Sequence, residues 1–318
     1  MSSIDVITFG EAMALFIADK EGALSEANSF SKALSGAETN VAIGLARLGL
    51  KAAWASMVGK DSFGDFVFAQ MKKEKVDVRC VGINPDYPTG FQLKSKVSSG
   101  DPQVEYFRKN SAASMMNTDD FNPYYFQEAA HLHMTGIPLA ISKHTRGYAE
   151  QALKFMKTSG KTVSFDPNLR PSLWKTMEEM IEITNRIAAQ ADYVFPGIQE
   201  GELLTGYKNP EDIAEFYMNQ GVKLVVIKLG EEGAYYRSEK EEGRADGIKV
   251  ERVVDTVGAG DGFAVGMISG LLEGIALRDA VMRGNAIGAL AVQSKGDSEG
   301  YPTRKELEDY LQQSVKGV

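Results

Sequence analysis

The stretch "DTVGAGD" at residues 255–261 is followed at once by the apolar run "GFAVGMISGLL", and together they place a glycine-rich turn at the start of a helix. Such a turn can direct several unpaired backbone N–H groups at one point, where the helix dipole adds partial positive charge. Gly258, Ala259 and Gly260 therefore predict a site for an anion. Asp261 could accept the proton of a hydroxyl group as that hydroxyl attacks a phosphoryl group.

A purely structural role is the alternative for the same turn. Aspartate is a preferred capping residue at the start of a helix. Glycines also let a chain turn where no ligand is bound. The turn by itself does not separate the two interpretations, so the rest of the chain has to be considered.

The composition indicates a folded protein that binds a small molecule. The 318 residues allow one large α/β domain with a small appendage, and 43% hydrophobic with 25% charged residues is ordinary globular usage. The formal charge of -8 has the wrong sign for general binding to nucleic acid. Cys80 is the only cysteine, which excludes an intramolecular disulfide and a thiolate metal cluster. We expect a cytoplasmic protein, because the sequence has neither a signal-peptide pattern nor a membrane-spanning apolar run.

Short apolar, β-branched runs alternate with longer amphipathic segments. Helical spacing in "TNVAIGLARLG" at 39–49, with Gly49 as a C-terminal stop, is typical of the longer segments. The alternation predicts a doubly wound, mostly parallel sheet flanked by helices. The predicted strands are "DVITF" at 5–9, "AAWASMV" at 52–58, "HLHMTGI" at 131–137, "TVSFD" at 162–166, "DYVF" at 192–195, "LVVIKL" at 224–229 and "VERVV" at 250–254.

Residues 12–34 and 86–108 break this alternation. Neither segment has helical periodicity, and apolar residues of "GFQLKSKV" at 90–97 stand two or four positions apart. Both segments therefore predict strands of a separate small sheet. Because they flank "GAETN" at 36–40, they could meet as a lid over one edge of the main domain. That main domain would comprise residues 1–11, 35–85 and 109–318.

Polar residues follow the predicted strands, at the edge where an open α/β sheet gathers its ligands. Asn168 and Arg170 come after "TVSFD", and Glu200 comes after "DYVF". Lys228 closes the next apolar run, and "VERVV" leads into the turn at 255–261. These positions are the candidates for a functional site.

The turn also resembles the signature of the ribokinase-like, PfkB-type carbohydrate kinases. "SGAETNVAIGLARLG" at 35–49 is similar to the N-terminal substrate motif of that family, with Ser35 where many members have a second glycine. "VGKDSFGDF" at 58–66 and "KLGEEG" at 228–233 match in kind and order. Four ordered motifs across nearly the whole chain favour a functional turn over a structural one. The resemblance implies a ribokinase-like fold.

Within that family the chain looks most like the 2-keto-3-deoxygluconate kinases. The similar stretches are "VEYFRKNSAAS" at 104–114, "HLHMTGIPLAIS" at 131–142 and "FDPNLRPSLW" at 165–174, parts of which fructokinases share. The likeness implies ATP-dependent phosphorylation of a sugar acid to its 6-phosphate. Fructokinase or another sugar kinase of the family is the first alternative. A catalytically silent sugar-binding regulator is the second, and the retained Asp261 argues against it, because a binding protein needs no base.

The resemblance further implies a role for each candidate residue. Asp261 would be the general base, and Gly258, Ala259 and Gly260 would form the anion hole. The ATP site would include Asn168, Lys228, Gly230, Gly233, Gly258, Gly260 and Asn285. The sugar site would include Gly36, Ala37, Asn40, Gln92, Tyr106, Arg108, Arg170, Asp261 and Asp297.

Magnesium is expected with ATP, because phosphoryl transfer needs its negative charge offset. Many family members use an Asn-x-x-Glu motif near the metal, but here Gly197 takes the place of the asparagine. Glu200 remains as the one candidate, and how the metal is held stays open. A requirement for a monovalent cation also stays open.

Arg108 and Arg170 favour an acid as the substrate, since a guanidinium can bind a carboxylate through two hydrogen bonds. The alternatives are a solvated surface position and, for Arg170, contact with the phosphates of ATP. Tyr106 and Gln92 alternate with apolar residues and could face the sugar, although Tyr106 could equally pack within the lid. The sequence does not distinguish the gluconate from the galactonate epimer.

Two other nucleotide-binding classes are excluded by their motifs. "GEAMAL" follows the first strand in place of the Rossmann G-x-G-x-x-G, and no Walker G-x-x-x-x-G-K-[ST] is present. His131 and His133 stand two apart on a predicted strand, but spacing offers no third metal ligand. The expected partners are a sugar acid and ATP, without nucleic acid or membrane. Free edges of the lid strands leave a homo-oligomer open.

Overall fold

The computed structural model describes residues 3–97 and 102–316. Its strands are β1 (Ile4–Phe9), β2 (Met13–Glu21), β3 (Phe30–Ser35), β4 (Ala52–Gly59), β5 (Val81–Asn84), β6 (Phe91–Lys96), β7 (Val104–Phe107), β8 (Ala129–Thr135), β9 (Thr162–Asp166), β10 (Tyr193–Val194), β11 (Leu224–Lys228), β12 (Gly233–Ser238) and β13 (Glu242–Asp246). Its α-helices are α1 (Ala37–Arg47), α2 (Ser62–Lys73), α3 (Pro123–Gln127), α4 (Ile137–Ile141), α5 (Lys143–Thr158), α6 (Met177–Ala188), α7 (Ile198–Thr205), α8 (Pro210–Met218), α9 (Ala259–Glu273), α10 (Leu277–Ala291) and α11 (Arg304–Lys316).

The large sheet has the strand order β13-β12-β11-β10-β9-β8-β1-β4-β5. The strands from β5 to β11 pair in parallel, whereas β12 pairs antiparallel with both β11 and β13. The doubly wound, mostly parallel sheet predicted from the alternating pattern is therefore confirmed. The chain winds from β1 to β4 and β5 on one side, then returns past β1 to β8 and β9. Ligands of such sheets bind where the winding reverses, beyond the carboxyl ends of the strands.

Buried side chains cover both faces of this sheet. Successive side chains of β1 point to opposite faces, so they enter two different apolar clusters. Ile7 and Phe9 pack into one apolar cluster, where Phe9 lies edge-on to Tyr148 of α5. Val6 belongs to the opposite cluster, which includes Trp54 of β4 and the buried face of α9. Helix α9 thus begins at the ligand edge of the sheet and is fixed there by its apolar side chains.

A separate small sheet has the order β3-β2-β6-β7. Its strands lie within the two predicted segments, except that β3 extends to Ser35; residues 98–101 are outside the described residues. Phe91 of β6 stacks on Phe107 of β7 with ring centroids 4.6 Å apart. The expected second sheet is therefore present.

The strand predicted at 250–254 is wrong, because residues 247–258 lie in no strand. The N–H groups of Val254 and Asp255 bond to the carbonyl of Val292, at the end of α10, at 2.7 and 3.2 Å. Val253 and Val254 are exposed, so their β-branched side chains do not mark a buried strand. The turn at 255–261 therefore follows an irregular segment.

The described residues contain no helix with the length and apolar character that crossing a membrane requires.

Candidate active site

A cavity of about 340 Å³ lies between the carboxyl ends of the parallel strands and the small sheet. The main sheet contributes the end of β9 with the residues after it and the last residue of β11, α9 contributes its first turn, and the small sheet contributes β6 and β7. The predicted site residues that line the cavity are Gly36, Ala37, Asn40, Gln92, Tyr106, Arg108, Asn168, Arg170, Glu200, Lys228, Gly258, Gly260, Asp261 and Asp297.

Asp261 lies in the first turn of α9 and is 7% exposed. Asn40 of α1 donates to its Oδ2 at 2.8 Å, and Asn168 donates to its Oδ1 at 3.1 Å. Burial raises the pKa of the Asp261 carboxyl to about 7, an effect that Asn40 opposes and nearby Asp166 reinforces. A carboxylate with a pKa near 7 that is held by two amides is suited to general base catalysis.

The glycine-rich turn brings backbone N–H groups to the cavity. Gly258 has φ of 80°, and a Cβ there would lie 1.9 Å from the carbonyl oxygen of Asp297, so this position requires glycine. The first helical bond runs from Gly262 N–H to the Gly258 carbonyl at 2.8 Å. The N–H groups of Gly260 and Asp261 precede that bond and have no acceptor within the helix. This geometry suits an anion.

Lys228 places a positive charge beside the turn. Its Nζ lies 2.6 Å from Asp166 Oδ2 and would be 3.4 Å from a Cβ at Gly260. Burial disfavours the charged form of Lys228, but the carboxylates of Asp166 and Glu200 outweigh it and raise the lysine pKa. Burial also raises the pKa of Asp166, and Lys228 opposes that rise. We conclude that Lys228 remains protonated.

Glu200 lines the cavity and also holds the local backbone. Its Oε1 accepts the Leu169 N–H at 2.7 Å, and its Oε2 accepts the Gly197 N–H at 2.8 Å. Each carboxylate oxygen keeps a further lone pair. The described residues contain no group of three or more His, Cys, Asp or Glu that could hold a metal ion. Glu200 and Asp166 fit a magnesium ion that keeps its waters, which is the usual state of Mg²⁺ bound with phosphates.

Asp297 lies between the glycine-rich turn, against which its carbonyl packs at Gly258, and the small sheet. Ser35, the last residue of β3, donates to Asp297 Oδ2 at 2.5 Å, whereas Asp297 Oδ1 is buried and has no hydrogen-bond partner among the described residues. Burial raises the pKa of Asp297 to about 6, an effect that Ser35 opposes. A ligand hydroxyl is a suitable partner for the free oxygen.

The two arginines lie in different environments. Arg108 is already paired, with Nε and Nη2 at 2.6 and 2.5 Å from Oε2 of buried Glu11. Because Glu11 already pairs with Arg108, a neutral sugar would not leave this guanidinium without a partner. Arg170 donates from Nη1 to its neighbour's carbonyl, that of Leu169, at 2.9 Å, and no other acceptor contacts it among the described residues. Arg170 is the freer cation of the cavity.

Four predicted residues do not line the cavity: Ala259, Gly230, Gly233 and Asn285. Asn285 donates to the carbonyls of Ala245 and Asp246 at 3.1 and 3.0 Å, so its amide nitrogen holds the end of β13. Gly233 has φ of 99° at the turn into β12. Their predicted contacts with a nucleotide remain predictions.

Sequence reasoning missed several residues of the cavity, namely Glu11, Lys94 and Asp166. Asp166 closes β9 and was included in the predicted strand "TVSFD" without a role. Lys94 stands two residues after Gln92 on β6 and so shares its face, which was a usable signal. Lys94 Nζ pairs with Asp255 Oδ2 at 2.5 Å, a contact that joins the small sheet to the turn segment.

His131 and His133 are held by hydroxyl groups. His131 Nε2 and His133 Nδ1 each lie 2.8 Å from Ser164 Oγ on β9. Burial lowers the pKa of both imidazoles, to about 4 and about 3, so both are neutral near pH 7. This arrangement supports their interpretation as core residues.

A buried carboxylate beside helix N–H groups without an acceptor in the helix, together with a protonated lysine, is an arrangement suited to phosphoryl transfer to a hydroxyl group. The fold and the site thus define a phosphotransferase. Residues 3–304 match the model of the pfkB family carbohydrate kinases, and the chain belongs to that family. It is a carbohydrate kinase.

Curated relatives cover nearly the full chain. The 2-dehydro-3-deoxygluconokinase of Bacillus subtilis is 54% identical over 97% of this chain and 95% of its own length. A plant relative, the probable fructokinase-6, chloroplastic, of Arabidopsis thaliana, is 31% identical over 98% of this chain and 83% of its own length.

Solved structures agree with the fold. A PfkB protein from Polaromonas sp. superposes with a TM-score of 0.90 at 51% identity, over 96% of this chain and 99% of that one. A ribokinase II from E. coli in complex with ATP and Mg²⁺ also has a TM-score of 0.90, at 28% identity over 98% and 99% of the two chains. The expected family, fold and use of ATP with magnesium are therefore supported.

Proposed function

We propose that this chain transfers the γ-phosphoryl group of ATP to the 6-hydroxyl of 2-keto-3-deoxygluconate, which is the same compound as 2-dehydro-3-deoxygluconate. The observation that carries the proposal is the position of Asp261. Its carboxylate lies between Asn40 and Asn168 and directly beside the N–H groups of the turn. The relative that is 54% identical, named for this substrate, supports the choice of sugar acid.

In the proposed reaction Asp261 accepts the proton of the attacking hydroxyl. The N–H groups of Gly258, Ala259 and Gly260 and the ammonium of Lys228 stabilise the negative charge that develops on the transferred group. Glu200 and Asp166 would bind the waters of Mg²⁺, and the metal would offset the charge of the phosphates. Asp261 is then the only one of these groups that moves a proton.

For ATP we propose the residues at and just after the ends of β9 and β11. Asn168 and Lys228 line the cavity next to the turn and can reach the phosphates. Gly230 and Gly233 border the turn into β12, where the backbone can approach a nucleotide closely. Asn285 supports this region through the end of β13. The sequence left a monovalent cation requirement open, and replacing K⁺ with a bulky organic cation in the assay measures it.

For the sugar acid we propose the side of the cavity that α1 and the small sheet line. Gly36, Ala37 and Asn40 form the start of α1 against it, and Asp297 Oδ1 offers an acceptor for a hydroxyl. Arg170 would bind the carboxylate. From the small sheet, the residues proposed to contact the sugar are Gln92, Tyr106 and Arg108.

We propose that the small sheet, within residues 12–34 and 86–108, is a lid over a main domain formed by 1–11, 35–85 and 109–318. Excluding water from the transfer site would prevent hydrolysis of ATP. The exposed Tyr106 and Phe107 on edge strand β7 would suit contact with a second copy of the chain. We also propose a cytoplasmic location without nucleic-acid or membrane partners.

A coupled assay of ATP consumption tests the proposed function. The panel contains fructose, ribose, adenosine, gluconate and 2-keto-3-deoxygluconate, each with ATP and Mg²⁺. We expect 2-keto-3-deoxygluconate to give the highest kcat/KM, with the 6-phosphate as product by NMR. Preference for fructose would contradict the sugar-acid proposal, and no consumption with any of the five would contradict kinase activity on this group of compounds.

Gly260→Val should abolish turnover without unfolding the protein. Gly260 has an ordinary backbone conformation, and a Cβ would only reach van der Waals contact with Lys228 Nζ at 3.4 Å. The branched methyl groups would, however, fill the space in which the transferred phosphoryl group meets the N–H groups. The measurements are kcat and a circular-dichroism melt.

Gly206→Val is the control. Gly206 has φ of 79° and no atom within 4 Å of the position of a Cβ, so valine there should strain the backbone and lower stability while kcat stays as in wild type. Loss of activity in Gly260→Val only together with the folded signal would mean that Gly260 is structural.

A further inference from the structure

Tyr301 lies directly behind the glycine-rich turn. Its hydroxyl donates to the carbonyl oxygen of Gly258 at 2.6 Å, and the side chain is 4% exposed. A Cβ at Gly44 or at Gly262 would come within 3.0 Å of the tyrosine ring, so the ring occupies space that these two glycines leave. Burial raises the pKa of the hydroxyl, which therefore stays protonated and donates.

The contact controls the direction of one peptide unit. The peptide between Gly258 and Ala259 is planar and trans, so its C=O and N–H point in opposite directions. Tyr301 holds the carbonyl on the buried side of the turn. The N–H of Ala259 then points away from Tyr301 and donates to the carbonyl of Thr256 at 3.4 Å. The contact of Tyr301 therefore fixes the turn that immediately precedes the N–H groups of Gly260 and Asp261, which have no acceptor within the helix.

The segment that carries Tyr301 is itself fixed. Arg47 of α1 donates from Nη1 to the carbonyls of Ser298 and Tyr301 at 2.7 and 3.0 Å, and its other edge pairs with Glu74 at 2.8 Å. Asp297, in the same segment, packs its carbonyl against Gly258. The segment behind the turn is therefore held in place. Among the described residues, Tyr301 provides the one hydrogen bond from a side chain to the backbone of residues 258–260.

We propose that Tyr301 is a positioning residue for phosphoryl transfer, which aims the backbone N–H groups of the turn at the transferred group. This inference rests on the proposed function of the turn. Preorganised N–H donors stabilise charge in the transition state more than in the ground state. Loss of the hydroxyl should therefore lower kcat and leave the binding of ATP and sugar almost unchanged.

Tyr301→Phe removes one oxygen and keeps the ring. The Gly258 carbonyl still accepts the Gly262 N–H at 2.8 Å, so no buried acceptor is left without a partner and the variant should fold. We expect kcat to fall by about tenfold or more, less than the loss of a direct oxyanion donor, with both KM values within about twofold of wild type. Affinity for ADP with aluminium fluoride should fall by a similar factor, whereas affinity for ADP alone should not.

Tyr217→Phe is the matched control. The Tyr217 hydroxyl donates to Asn185 Oδ1 at 2.9 Å in a fully buried position of α8 outside the cavity, so its loss should leave kcat and both affinities as in wild type. Wild-type kcat and wild-type affinity for the fluoride complex in Tyr301→Phe would overturn the inference. Equal weakening of ADP and of its fluoride complex would do the same, because it would indicate general loosening.

The nucleotide-binding arm of this experiment does not depend on the identity of the sugar. If no sugar of the panel is phosphorylated, the proposed function fails, yet the ratio of the two ADP affinities still decides the role of Tyr301. If the wild type is active and the ratio is unchanged in Tyr301→Phe, the inference fails alone.

Discussion

Asp261→Asn is expected to lower kcat by about 10²- to 10⁴-fold while affinity for ATP changes little. The amide has the size of the carboxylate but cannot accept the proton of the attacking hydroxyl. Asn40 and Asn168 keep the new side chain in place. The Oδ1 of each is buried and has no hydrogen-bond partner within the described part of the chain, so it can accept from the new amide once the neighbouring asparagine side chain turns over. The measurements are steady-state kinetics and calorimetry with ATP.

The same substitution should stabilise the fold. The folded pKa of Asp261 is raised to about 7 from 3.8, so its contribution to stability is fully present below about pH 4 and is lost as the pH rises through 7. Asparagine never ionises and escapes this loss. We expect the Tm of the variant to exceed that of wild type by about 2 °C or more at pH 8, with a difference that shrinks toward pH 5. In wild type, kcat/KM should rise with pH and level off above about 7.

Asp192→Asn is the control, because this carboxyl is equally buried but outside the cavity. It pairs with Lys157 and Lys223 at 2.8 and 2.9 Å, and despite burial these bonds lower its pKa. The control should lose Tm and keep kcat, the opposite of Asp261→Asn. Near-normal turnover in Asp261→Asn would remove Asp261 from the role of base.

Much of the fold was predictable because local sequence patterns determine where its strands and helices lie. The run "TVSFD" coincides with β9, and the alternation in "GFQLKSKV" identified β6, since side-chain periodicity reports directly which face is buried. The strand prediction for residues 250–254 was wrong because it also relied on a local pattern. The valines there have strand propensity, but the N–H of Val254 bonds to the carbonyl at the end of α10, a partner that the local sequence does not indicate.

The candidate site was predictable where a motif placed several groups together, as in the turn at 255–261. It was not predictable where the chemistry depends on pairs of residues far apart in sequence. Glu11 neutralises Arg108 from 97 residues away, and Tyr301 reaches Gly258 across 43. From the sequence alone, such an arginine looks available to bind a ligand, whereas in the folded chain its charge is already paired with a carboxylate.

Because Glu11 already pairs with Arg108, we expect Arg170 to provide the selectivity for the acid substrate. A carboxylate bound by a free guanidinium gains charge-assisted hydrogen bonds of roughly 1.5 to 3 kcal/mol each, and a neutral ketose gains none. We expect kcat/KM for 2-keto-3-deoxygluconate to exceed that for fructose by at least about a hundredfold in wild type. Arg170→Met should reduce the value for the acid by roughly 10- to 100-fold and leave the value for fructose nearly unchanged.

Arg108→Met distinguishes loss of carboxylate recognition from a general loss of structure around the cavity. Among the residues that the structure describes, it leaves the buried carboxylate of Glu11 with Ser111 as its one remaining side-chain partner, so it should lower Tm and reduce kcat/KM for both sugars together. If Arg170 instead contacts the phosphates of ATP, Arg170→Met will raise the KM for ATP and lower kcat/KM for both sugars by the same factor. A wild type that prefers fructose, or a ratio that survives Arg170→Met intact, would contradict carboxylate recognition by Arg170. In the first case fructokinase would become the better assignment, because only the neutral alcohol would then fit the measured preference.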